Sequence, residues 1–143
     1  MSLEGPVGVQ PQPEQPHGVL ATTEVYEAEN TEALARLVRG MIKASRALHD
    51  NYATFRQVYD AHVTVPLPDE DIERIWKSEH ETGGFAVNGE MSDAHWTAQF
   101  DSYFALNPDM KQIERDDLLV TQFITEALND LGRHASSFDN TGA

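Results

Sequence analysis

Between Thr31 and Asp50, apolar side chains recur at three- and four-residue intervals: Leu34, Leu37, Val38, Met41, Ile42 and Leu48, with the small Ser45 in register. That spacing lines one face of an α-helix, and such a helix must bury its face against another element. The pattern returns at Tyr52, Phe55, Val58, Tyr59 and His62, and again at Ile72, Ile75 and Trp76 behind a cap at Asp69. It recurs at Trp96, Phe100, Tyr103 and Phe104 behind Ser92, and at Phe123, Ile124, Ala127, Leu128 and Leu131 in a helix opened by Asp117 or Thr121. The breaks fall where backbone chemistry demands them. Pro66 and Pro68 push their predecessors out of the α region, Gly83-Gly84 stops the third long segment, and Asn107-Pro108 stops the fourth. Phe85 to Glu90 forms a turn with Asn88-Gly89 at its tip, and Gly132 suits a helix C-terminus.

Upstream, Gly18 to Thr22 is an apolar run long enough for one strand. Thr23 then precedes a short acidic helix from Glu24 to Ala28, and Asn30 or Thr31 caps the long one. Residues 1–17 hold four of the seven prolines and no Lys or Arg, which favours an extended arm. The expected fold is mainly α, with about five helices in an irregular bundle and one or two short strands near the N-terminus. A helical domain over 18–132 lies between the Pro-rich arm (1–17) and a flexible tail (133–143).

Composition narrows the function classes. With 10 basic and 24 acidic residues among 143, the net charge is −14, so phosphate backbones and anionic lipid surfaces should be repelled. Nucleic acid is not an expected partner. Cysteine is absent, which removes disulfides, thiolate metal sites and cysteine nucleophiles together. No apolar run approaches a membrane span, and the N-terminus lacks the pattern of a signal peptide.

The chemistry-bearing residues form no recognisable constellation. His17, His49, His62, His80, His95 and His134 have no HxxxH or HExxH spacing to place two ligands on one helical face. Asp69-Glu70-Asp71 is acidic enough for calcium, but the twelfth loop position is His80 and the mid-loop glycine is missing, so a dipole-stabilised helix N-terminus explains it. There is no GxSxG, GxGxxG or Walker loop. No catalytic residue, metal ligand or cofactor is therefore assigned. One charged feature stands out: Arg36, Arg39, Lys43 and Arg46 form a stripe on the long helix, offset by two residues from the apolar one. It is a candidate partner-binding patch, or a solvated face supported by Glu32.

The order of these features resembles a known family. The run GVLATTEVYEAENTEALARLVRGMIKASRALHDN and the close DLLVTQFITEALNDLG are similar to the C-terminal part of solute-binding proteins of ABC importers, in the group handling nitrate, taurine or other sulfonates, and thiamine-precursor pyrimidines. The resemblance spans about residues 18–132 and implies the helical end of a two-lobed α/β periplasmic-binding fold. It implies a small solute and a membrane permease as partners. It carries over no cleft residue, because the cleft segments have no counterpart here. The location it implies is extracytoplasmic for part of a secreted binding protein, and cytoplasmic for a chain complete as given.

Two readings follow. In one, the protein is a non-catalytic component of small-solute uptake. In the other it is a stand-alone acidic helical interaction module that docks through the Arg36–Arg46 stripe or associates with itself. Helices that usually cover a sheet either repack on one another or leave a face for a partner or a second copy.

Overall fold

The computed structural model describes residues 19–91, 96–97, 100, 102–109 and 113–135. Seven helical segments lie among them: α1 (Glu24–Glu29), α2 (Thr31–Asp50), α3 (Tyr52–His62), α4 (Asp69–Thr82), α5 (Ser102–Leu106), α6 (Arg115–Leu118) and α7 (Gln122–Leu131). The mainly helical architecture matches the periodicity. No strand occurs among the described residues: Val19 to Thr22 is exposed chain leading into α1. Gly18 and Ser92 lie outside the described residues, as does the Pro-rich arm.

The helix boundaries have local causes. Thr23 caps α1 by accepting the Tyr26 amide on Oγ1 at 3.2 Å, and Asn51 does the same for α3 through the Thr54 amide at 3.0 Å. Pro68 is the N-cap of α4, so Asp69 is its first helical residue rather than its cap. The α4 C-terminus turns at Gly83 (φ +72°), and the Gly84 amide returns to the Glu79 carbonyl at 2.8 Å. Of the two starts considered for the last helix, Thr121 holds: Asp117 belongs to the one-turn α6, which ends before α7 begins.

The core is an α2–α7 pair with a loop pressed into it. Leu34 and Ile42 from α2, and Phe123, Ala127 and Leu128 from α7, are buried, and Val87 joins them from the loop after α4; Ile72 is buried separately, on α4 beside the end of α3. The Asn88-Gly89 turn is thus no exposed tip, for Val87 and Asn88 lie inside. A second contact joins α3 to α4 through rings. Tyr52 lies 5.4 Å from Trp76, and Phe55 meets Phe85 edge-on at 6.1 Å. Further along α3 that face loosens, leaving Val58 and His62 exposed. In the aromatic segment, Trp96 stacks on Phe100 at 4.1 Å, and Phe100 lies 6.4 Å from Phe104.

Gly89 shows how tightly the loop is seated. Its φ is +71°, and a Cβ there would meet Ile42 side-chain atoms at 3.2 and 3.3 Å; Ile42 is only 2 % exposed. Gly89→Ala should therefore cost about 1–3 kcal/mol from left-handed strain and overpacking. Gly40 sits exposed within α2 with nothing within 4 Å of the added methyl. Gly40→Ala should instead gain about 0.5–1 kcal/mol of helix propensity. Thermal denaturation followed by circular dichroism should move in opposite directions for the two variants.

Candidate functional site

Every α-helix ends with carbonyls that have no partner inside the helix. Here neighbouring side chains supply the missing donors. At the end of α2, Trp76 Nε1 donates to the Leu48 carbonyl at 2.8 Å and His80 Nε2 to the His49 carbonyl at 2.6 Å, both from α4. At the end of α7, Arg46 Nη1 donates to the Leu131 carbonyl at 3.4 Å and Nη2 to that of Gly132 at 2.7 Å. The same guanidinium donates through Nε to the Val87 carbonyl at 2.8 Å and through Nη2 to Asn88 Oδ1 at 3.0 Å. A cation at a helix C-terminus is also favoured by the helix dipole.

Asn88, only 5 % exposed, is the other half of this junction. Its Oδ1 accepts the His134 amide at 2.9 Å, and its Nδ2 donates to the His134 carbonyl at 3.1 Å. One turn of the loop thus grips the main chain of His134 on both sides. Arg133 adds a two-pronged ion pair to Glu90. Arg133 and His134, the first residues of the expected tail, find matched partners on residues 88 and 90.

Fixing His134 completes a cluster. Asp50 Oδ1 accepts from His49 Nδ1 at 2.8 Å and from His134 Nε2 at 2.8 Å. The three candidate ligand atoms all lie within 4.8 Å of one another. Around His49 the rings close in: His80 at 3.9 Å, His134 edge-on at 5.0 Å and Phe85 edge-on at 5.8 Å. The hydrogen bond from His49 is the main cause that holds the Asp50 carboxyl below the usual carboxylate range; desolvation pushes the other way, and the hydrogen bond from His134 adds to the lowering. His134 Nδ1 is buried with no hydrogen-bond partner, which leaves Nε2 as the ring atom committed to Asp50. Sequence reasoning missed this group because only His49 and Asp50 are neighbours in the chain. No spacing rule connects them to a residue 84 positions on.

The basic stripe is dispersed by the fold. Arg46 is spent on the junction just described, and Arg39 pairs with Asp130 on α7. Arg36 stays at the surface beside Glu32 at 3.2 Å, and Lys43 is exposed without an ion pair among the described residues. An open groove of about 300 Å³ lies between the end of α3 and the start of α4. Its one cation, Arg56, is neutralised by Asp60 at 3.0 Å and Asp69 at 2.7 Å, and that pairing holds the guanidinium firmly protonated. Among the described residues, no helix is long and apolar enough to cross a membrane. Comparison with known proteins returned no matching family, no matching curated protein and no matching solved structure.

Three of the stripe residues should separate by mutation. Arg46→Ala strands several carbonyls and should cost about 2–4 kcal/mol, since hydrogen bonds to a charged group are each worth roughly 1.5–3 kcal/mol. Arg46→Lys should recover only part of this, because an ammonium cannot reproduce the planar fork. Arg36→Ala and Lys43→Ala should stay within about 0.5 kcal/mol of the parent. Urea denaturation of the four variants measures the contrast.

Proposed function

We propose that this chain is a non-catalytic binding component of the solute-binding type, similar to the helical C-terminal part of an ABC-importer substrate-binding protein. The observation that carries the reading is apolar surface left uncovered on the longest helix. The face drawn from sequence as one stripe divides in two. Leu34 and Ile42 turn into the core, while Leu37 and Met41, one turn apart, remain 46 % and 48 % exposed. On the preceding α1, Val25 and Tyr26 are exposed as well. Helices that cover a sheet in a two-lobed protein carry such a face, and the order of elements fits that role: a 20-residue helix, an 11-residue helix, a proline-broken approach and a last helix closing on Leu131-Gly132.

In this reading the cleft that holds the solute is built by other segments, and the chain's partners are a small solute and a membrane permease. A second reading, an acidic helical interaction module that stands alone, draws on the same face together with the surface cations Arg36 and Lys43.

Replacing both residues with glutamate (Leu37→Glu with Met41→Glu) tests the uncovered face. The double variant should keep its helicity and lose less than about 1 kcal/mol, as expected for surface positions, while binding less of a hydrophobic dye than the parent. A loss of several kcal/mol would place the face in the chain's own core and overturn both readings. Light scattering divides them further: a parent dimer that the double variant converts to monomer favours the module. Thermal shift with taurine, nitrate or an aminopyrimidine should be silent for the solute-binding component, and a clear shift would mean that these helices hold a solute by themselves.

A further inference from the structure

The cluster at the junction of α2 and α7 has the composition of a metal site. We propose that His49 Nδ1, an Asp50 carboxylate oxygen and His134 Nε2 bind one divalent first-row transition ion of the zinc class. Such an ion would fasten the end of α2 to the segment after α7. The inference does not depend on what covers the apolar face.

Donor chemistry selects the class of ion. Two imidazole nitrogens and one carboxylate oxygen suit Zn²⁺, Co²⁺ or Ni²⁺, whereas Mg²⁺ and Ca²⁺ require shells made mostly of oxygen. Three protein ligands leave a fourth tetrahedral position, and Asp50, exposed at the edge of the cluster, leaves that position open to water. The geometry needs only a small adjustment. Asp50 Oδ1 now stands 2.8 Å from each ring nitrogen, and bonds of about 2.0–2.1 Å at tetrahedral angles put ligand atoms roughly 3.4 Å apart. Rotation of the exposed Asp50 side chain lengthens the two oxygen–nitrogen separations, and turns of the His49 and His134 rings bring their nitrogens, which lie within 4.8 Å of each other, to the same spacing as each gives up its proton to bind.

The site is also held in place from outside. His49 is boxed by His80, Phe85 and His134, and His80 is itself tied to the His49 carbonyl at 2.6 Å. The main chain of His134 is held on both sides by Asn88. Ring packing around His49 and anchoring of the His134 main chain hold the ligand-bearing residues in place, without a hydrogen bond to His134 Nδ1. The location adds electrostatic support, because a cation here sits at a helix C-terminus in a chain of net charge −14.

The test uses the full-length chain without an affinity tag, first stripped of metal with a chelator. Co²⁺ titration should give visible d–d absorption saturating at one ion per chain, and Zn²⁺ should displace it. Zn²⁺ in excess should raise the melting temperature by several degrees, since an ion that binds only the folded state stabilises it by mass action. Mg²⁺ and Ca²⁺ at the same concentration should not. His134→Ala keeps the main-chain bonds to Asn88, so the fold should survive while the cobalt spectrum disappears. Asp50→Asn should weaken binding at least tenfold, and His62→Ala, on the exposed end of α3, should leave it unchanged. Absence of a saturable cobalt spectrum in the parent would overturn the proposal. So would a spectrum that persists in a folded His134→Ala variant. Circular dichroism checks folding, and His134→Gln provides a second variant if alanine proves unstable.

Discussion

The guanidinium of Arg46 is the point on which the rest of this structure closes. A helix that stops inside a protein leaves carbonyls needing donors, and burying them bare would be costly. One planar cation from the last third of α2 supplies donors to the last carbonyls of α7 and to residues 87 and 88 of the loop at once. That arrangement ties α2 to the end of α7. It also fixes Asn88, and through Asn88 the main chain of His134. The imidazole–carboxylate cluster is thus a consequence of how the end of a helix is satisfied.

Much of the architecture was legible in the sequence because it rests on local rules. Helical periodicity, the Thr23 cap, the double-proline break and the Gly83 stop all act within a turn or two of chain, and each appears where those rules put it. The candidate site was not legible, since it is made by contacts across long stretches. Arg46 looked like one of four equivalent cations on a solvent stripe, and only the position of α7 distinguishes it from Lys43. The Asn88-Gly89 dipeptide carries the signature of an exposed turn, and that signature holds equally well for a turn folded inward against Ile42. The apolar run before α1 had the right residue types for a strand, but a strand needs a pairing edge, and none lies among the described residues.

The division of the α2 stripe bears on what kind of protein this is. α2 is covered on one side by α7 and carries Leu37 and Met41 exposed on another. Its own chain supplies the first contact. In the proposed reading a protein surface with an apolar centre supplies the second, which is consistent with a net charge of −14.

The partners of Arg46 at the end of α7 lie 85 and 86 residues further along the chain. Helical bundles usually fold fast because their contacts are local, yet the main interface here joins an early helix to a late one, across a loop whose closure entropy must be spent before any of that burial is recovered. During synthesis, α2 emerges long before the surface that shields it. Nascent chains should therefore carry a sticky, half-finished α2 until residues through His134 have left the ribosome. In the cell, this makes the interval of translation the period of greatest exposure to aggregation and to chaperones.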